Sequence, residues 1–252
     1  MPYDSVRYAS LAGRHVVITG GASGIGAEMV RAFRAQDARV SFVDIDRPAG
    51  EAIASETGAA FHACDLTDIA ALREVMAAVE RASGPAGALL NNAGKDDRHE
   101  MTGVEPDYWR RALALNLDHQ FFATQALAPG MAAAGGGSVV MLGSVSWMRG
   151  RPGMVGYTTA KAAINGLTKT LARELGPQGI RVNCLVPGAI LTPRQEALWL
   201  TPDLDRQFID LQALKFRLDA GHVARMALFL ASDESAGATG ANFTVDAGLT
   251  QN

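Results

Sequence analysis

The stretch HVVITGGASGIGAEMVRAF, residues 15–33, decides the fold. It opens with the β-branched run of a strand buried on both faces, and from Gly24 onward it carries the spacing of an amphipathic helix. Between the two, Gly20, Gly24 and Gly26 keep side chains out of the turn. Glycine is needed where main chain must approach a ligand closely. Strand, glycine turn and helix N-terminus together make a cradle for a pyrophosphate, lined by Ser23, Ile25 and the three glycines. A glycine turn alone marks no more than a tight connection, so its surroundings matter. Asp44 closes the second strand in FVDID, 18 residues beyond Gly26, where a carboxylate can accept hydrogen bonds from the ribose hydroxyls of an adenosine. The turn offers Ala22 and Ser23 in place of a basic residue, so a 2'-phosphate would meet a carboxylate and no partner. The expected cofactor is NAD rather than NADP, with Arg47 read as a solvated charge just past the strand.

The same alternation runs on through the chain. Apolar runs at 15–20, 38–45, 59–65, 87–94, 137–144, 180–188 and 242–248 predict seven parallel strands, with helices near 24–36, 48–57, 68–82, 105–133, 156–176 and 221–231. This is the pattern of an α/β protein: a single Rossmann-type doubly wound domain over residues 1–252, its seven-stranded parallel sheet flanked by helices. The stretch from Ala189 to about Pro202 reads as irregular, and the region 189–215 is expected to be a substrate lid. With 48% hydrophobic residues, 252 residues bury an ample core without staples or a metal. A net charge of -3, with both signs spread along the chain, leaves no basic stripe for nucleic acid or anionic lipid. No apolar run is long enough for a membrane span or an export leader, so a cytoplasmic protein with a small-molecule partner is expected. Cys64 and Cys184 lack a C-x-x-C neighbour and read as buried thiols, and His15, His62, His119 and His222 read as packing or surface residues, so no metal is expected.

The strings TGGASGIG, NNAG at 91–94 and YTTAK at 157–161, in this order and spacing, resemble the short-chain dehydrogenase/reductase family from about Leu11 to the VDAG of the last strand. The resemblance implies catalytic roles for Asn116, Ser144, Tyr157 and Lys161, and a homotetramer built on the long helices. It also implies that Asp65 and Leu66 lie near the adenine, that Asn92, Ala93 and Gly94 lie near the ribose, and that Pro187, Gly188, Ile190 and Thr192 surround the nicotinamide. Gly143 stands where many members carry a second serine. The chemistry makes separate sense of the set, because Tyr157 and Lys161 are one helical turn apart and share a face. A tyrosine acting as base near neutrality needs a pKa well below its ordinary value of about 10, and neighbouring positive charge, Lys161 or an oxidised nicotinamide, is the expected source. Ser144 can hold the substrate oxygen, and Asn116 a water for proton relay.

The run KDDRHEM, residues 95–101, follows the fourth strand at the carboxyl edge of the sheet, where doubly wound folds bind ligands. Charge runs on loops are commonly solvated. Here SVSWMRGRPGM and TPRQEALWLTPD bring further arginines and tryptophans to the same edge. Polar groups of both signs with flat indoles suit a polyhydroxylated ligand. The expected substrate residues are Asp97, His99, Ser144, Ser146, Trp147, Arg194 and Trp199. DDRH, GSVSW and RQEALWLTPD are similar to the aldose dehydrogenases of the family, the bacterial D-xylose 1-dehydrogenases among them, although Lys95 departs from the small polar residue expected ahead of the run. That similarity implies oxidation of the anomeric carbon of a sugar to a lactone. Dehydrogenation or reduction of a deoxy-keto sugar acid or a 3-oxoacyl thioester is the alternative.

Overall fold

The computed structural model describes residues 3, 5–198 and 200–251. Along the chain it runs β1 (His15–Thr19), α1 (Gly24–Ala35), β2 (Arg39–Asp44), α2 (Arg47–Thr57), β3 (Ala60–Ala63), α3 (Ile69–Ser83), β4 (Ala88–Asn91), α4 (Pro106–Leu113), a π-helical turn (Ala114–Asp118), α5 (His119–Ala133), β5 (Gly137–Leu142), α6 (Val155–Leu175), β6 (Ile180–Pro187), β7 (Ile190–Leu191), α7 (Pro193–Leu198), α8 (Pro202–Leu211), β8 (Leu218–Asp219), α9 (Ala220–Ala231) and β9 (Asn242–Val245). Seven strands form one parallel sheet in the order β3-β2-β1-β4-β5-β6-β9. Strand order reverses between β1 and β4, and a crevice opens there at their carboxyl ends.

Alternation along each strand divides the core. Val16, Ile18, Val40, Phe42, Leu90 and Leu185 face α1 and α9, while Val17, Val43, Leu89, Val139, Met141 and Val182 face α3, α5 and α6. Covered on both faces, the strands are apolar nearly throughout, which made them visible in sequence. At the amino edge of the sheet the helix C-termini gather their unpaired carbonyls, and arginines meet them. Arg14 donates to Ala231 O, Arg39 to Ser83 O, and Arg181 to Leu230 O and Ser232 O. Negative helix ends are thereby neutralised at one edge, leaving the positive N-termini to face the crevice at the other.

Two expectations are corrected. The helix expected over 105–133 is broken by the π-helical turn, and the stretch expected to be irregular from Ala189 holds β7 and α7, with α8 beginning at Pro202. Pro193 and Pro202 each open a helix, where the missing N–H has no intrahelical partner to lose. Cys184 is buried as expected, whereas Cys64 is only partly so. His222 forms a capping box with Asp219 at the start of α9, and His15 is wedged between Gly84 O and Ser41 Oγ.

His119 is wholly buried, and neither ring nitrogen has a partner in hydrogen-bonding geometry among the described residues. Burial, with the Lys161 ammonium in support and the Leu115 carbonyl opposing, drives its pKa down to about 3. In the unfolded chain a histidine takes up its proton near pH 6.5. Between about 6.5 and about 3 the unfolded state therefore holds a proton that the folded state refuses, and stability falls with pH by up to about 1.4 kcal/mol per pH unit from this group. Denaturant unfolding of wild type and His119→Phe between pH 7 and 4.5 should give a shallower decline in the variant; parallel declines would mean that His119 titrates alike in both states.

Candidate active site

The glycine turn is shaped by close approaches. A Cβ at Gly20, whose φ is +68°, would lie 2.7 Å from Ala93 Cα, and one at Gly26 would lie 1.8 Å from Gly20 O. The Thr19 hydroxyl accepts from the N–H groups of both Asn92 and Ala93, at 3.0 and 3.1 Å. Asn92 Nδ2 returns two bonds, to Thr19 O and Gly20 O. The ends of β1 and β4 are thus tied together under the turn. Asp44 Oδ2 accepts from Ala22 N at 2.9 Å and its Oδ1 from Asp46 N at 3.0 Å, which fixes the carboxylate at the rim. Arg47 opens α2, pointing to solvent with Glu51 3.7 Å away.

Side-chain caps close the N-termini of α2, α3, α8 and α9, through Asp46, Asp68, Thr201 and Asp219. Ser23 makes no such bond at α1. Its first N–H groups therefore stay available to an anion. Across the turn, Thr192 Cγ2 lies 3.7 Å from where a Gly24 Cβ would stand. Ile190 and Leu66 are buried beside the crevice, while exposed Asp65 holds Thr67 through its Oδ1. Pro187 O accepts from Val145 N and Gly188 N donates to Val245 O, so the ends of β5, β6 and β9 are joined as well. Bare main chain, an uncapped helix N-terminus and a fixed carboxylate at the end of β2 fit a dinucleotide.

Asn116, Ser144, Tyr157 and Lys161 converge on the crevice from three elements. Ser144 follows β5, and its Oγ accepts from Ser146 N at 3.2 Å. Lys161 is buried and donates from Nζ to Leu142 O at 2.7 Å, with Nζ 5.6 Å from the centre of the Tyr157 ring. Asn116 lies in the π-helical turn, a bulge that re-aims its side chain. Its Oδ1 accepts from Lys95 N at 2.8 Å, and its Nδ2 donates to Ala112 O and Lys95 O. Gly94 sits between them: a Cβ there would lie 2.9 Å from Asn116 Oδ1 and 3.4 Å from Lys161 Nζ.

In the protein by itself the Tyr157 phenol is pushed up to about 12 rather than down, chiefly by burial, with the Ser144 hydroxyl and the Arg98 charge working downward and Asp96 upward. Lys161 is drawn down to about 8, also by burial, with Cys184 opposing. Desolvation outweighs charge at both groups because the pair is packed in protein. Lys161 Nζ, 5.6 Å from the ring centre, does not offset that burial in the protein by itself.

Gly143 is explained by its neighbour. A Cβ at 143 would lie 2.8 Å from Cys184 Sγ and 3.4 Å from Val186 Cγ2. The thiol fills the space that a second serine would use, and burial pushes it up to about 11, so it stays protonated.

The charged run is self-paired on its outer side. Asp97 binds Lys95 at 3.2 Å and Arg194 of α7 at 2.9 Å. His99 stacks edge-on against Tyr108 and hydrogen-bonds the phenol at 2.9 Å through Nδ1. On the inner side are Asp96 and Arg98, 3.6 Å apart, and these are the residues whose charges act on Tyr157. Asp96, Asp97, Arg98, Arg194 and Leu198 line a cavity of about 300 Å³. Asp96 and Arg98 were missed in sequence, where nothing distinguishes Asp96 from Asp97. Arg151 lies over the Phe208 ring of α8 at 4.9 Å, which holds α8 against the loop after β5. Of the remaining expected substrate residues, Ser146 is buried and Trp147 partly so, and Trp199 lies outside the described residues. Ser146 Oγ, Trp147 Nε1, His99 Nε2 and Gln195 Oε1 are shielded from solvent without a hydrogen-bond partner among the described residues. Shielded polar atoms of this kind normally find a partner.

A family model described as enoyl-(acyl carrier protein) reductase matches residues 20–250. The chain is 45% identical to the D-xylose 1-dehydrogenase of Caulobacter vibrioides, over 97% of this chain and 99% of that one. It is 42% identical to a "probable galactose dehydrogenase" of Rhizobium meliloti, over 99% of this chain and 100% of the other. Among solved structures, the 3-oxoacyl-[acyl-carrier protein] reductase of Brucella melitensis superimposes with a TM-score of 0.90 at 32% identity, covering 99% of this chain and 96% of that one.

The contact between Gly143 and Cys184 yields a test. Gly143→Ser should destabilise the protein by about 1–3 kcal/mol through overpacking, and Cys184→Ala in the same chain should restore most of the loss. Additive effects of the two changes in thermal or denaturant unfolding would show that the thiol is not what excludes the serine.

Proposed function

Because this chain belongs to the short-chain dehydrogenase/reductase family, we propose that it oxidises a sugar hydroxyl, the anomeric C1 of an aldose, to the lactone with NAD as acceptor. The observation that carries this reading is the cavity lined by two carboxylates and two guanidinium groups, with Leu198 beside them, two of whose charges, Asp96 and Arg98, act on Tyr157. The sugar-oxidising names of the two most similar relatives cited agree with it. Gly20, Ser23, Gly24, Ile25 and Gly26 would hold the pyrophosphate, Asp44 the adenosine ribose, Asp65 and Leu66 the adenine side, and Asn92, Ala93 and Gly94 the main-chain wall beside Tyr157 and Lys161. Pro187, Gly188, Ile190 and Thr192 would flank the nicotinamide.

NAD, when bound, supplies the hydride acceptor and a cationic ring. Tyr157 takes the proton from the sugar hydroxyl, Ser144 holds the same oxygen by hydrogen bond, and Lys161 keeps an ammonium in the floor of the site. Asn116 holds the main chain of Lys95 and keeps one acceptor lone pair for a relayed water. The lid formed by α7 and α8 excludes solvent, tied down through Arg194 and Phe208.

Among the described residues no helix is long and apolar enough to cross a membrane, and no cluster of side chains could hold a metal ion. We read the protein as a cytoplasmic homotetramer acting on a small molecule.

In a panel of aldoses assayed by NADH formation, at least one pentose or hexose should be oxidised, with kcat/KM for NAD at least about tenfold above that for NADP. Asp44→Ala should narrow that gap by removing the repulsion. Oxidation of no sugar, together with NADPH-driven reduction of an oxoacyl thioester, would replace this reading with the reductase.

Tyr157→Phe should lose at least about a thousandfold in kcat while NAD affinity, measured by titration calorimetry, is retained. A variant keeping a tenth of the activity would show that a different group takes the proton.

A further inference from the structure

The two adjacent carboxylates at the head of the charged run are employed in opposite ways. Asp97 is 41% exposed and satisfied, with Arg194 Nη2 at 2.9 Å and Lys95 Nζ at 3.2 Å. Asp96 is 24% exposed, and its nearest cations, Arg98 Nη2 at 3.6 Å and Arg194 Nε at 3.7 Å, stand beyond hydrogen-bonding reach. Neither Asp96 oxygen accepts a hydrogen bond from the described residues. A carboxylate offers about four lone-pair sites and no donor. Partly exposed and without a donor from the described residues, that of Asp96 is open to donors that enter from outside.

Position separates the pair as well. The charge of Asp96 acts on Tyr157 and on Arg151, whereas that of Asp97 acts on Tyr108, on the outward side of the loop. Asp96 also lines the cavity of about 300 Å³ with Arg98 and Arg194, whose donors suit hydroxyl and ring oxygens. Of the two carboxylates lining that cavity, Asp96 is the one whose oxygens accept no hydrogen bond from the described residues.

Resting on the sugar reading above, we propose that Asp96, and not Asp97 or His99, sets substrate specificity by accepting a hydrogen bond from a sugar hydroxyl other than the one oxidised. Asp97 and His99 are positioning residues: the first ties the loop to α7, and the second ties it to α4.

The test pairs protein variants with deoxy sugars. Wild type, Asp96→Ala, Asp96→Asn and Asp97→Ala are assayed with NAD on the best aldose and on its 2-, 3- and 4-deoxy analogues, with NAD affinity and melting temperature measured alongside. Asp96→Ala should lower kcat/KM on the parent sugar by at least about tenfold, and that loss should vanish on one analogue, the one lacking the hydroxyl that Asp96 reads. Asp96→Asn, which keeps the shape and one acceptor, should lose less on the same sugar and lose nothing on the same analogue. Asp97→Ala should act equally on all four sugars, and NAD affinity should not move. An Asp96→Ala loss of equal size on every analogue, or no loss, overturns the assignment while leaving the sugar reading intact. A wild type that oxidises no aldose overturns both.

Discussion

A single hydroxyl underlies the architecture of the site. Thr19 ends β1, and its Oγ accepts from the main-chain N–H groups of Asn92 and Ala93 at the end of β4. These two strands flank the point where strand order reverses, so the crevice between them exists whatever the side chains are. Its width is set by that bond together with the missing side chain at Gly20, where a Cβ would lie 2.7 Å from Ala93 Cα. Gly94, next along the chain, then passes between Asn116 and Lys161, and the charged loop begins one residue later. A displacement at Thr19 would be transmitted in turn to the cofactor cradle, the catalytic lysine and the substrate wall.

The amino and carboxyl edges of the sheet divide the electrostatic work. Arg14, Arg39 and Arg181 meet carbonyls at the helix C-termini, while α1 presents an N-terminus without a side-chain cap at the opposite edge. Every helix that returns to the sheet in a parallel fold arrives with this polarity. The anion-binding edge is thus a property of the topology, refined by the missing cap at Ser23 and by the carboxylate of Asp44.

What could be read from sequence follows the same division. The seven strands were legible because burial on both faces leaves an unbroken apolar signal, and the cofactor turn because glycine at 20, 24 and 26 answers to backbone clearance. Helices α7 and α8 were not, since each begins at a proline, Pro193 and Pro202, and the stretch from Ala189 to about Pro202 reads as irregular. The π-helical turn at Asn116 leaves no mark in the periodicity. The raised pKa of the Tyr157 phenol could not be read, because the cost of burying a phenol depends on surroundings that no neighbouring letter specifies. Asp96 and Asp97 are identical in sequence and differ only in what the fold sets beside them.

The ion pairs from Arg194 to the charged loop close one wall of the cavity with side chains that are 24–43% exposed. Charges so placed are screened by the medium, over about 10 Å at 0.1 M salt and about 3 Å at 1 M. The apolar contacts that hold the sheet to its helices are not screened in this way. Ionic strength therefore acts on the grip of α7 on the loop before it acts on the packing of the sheet.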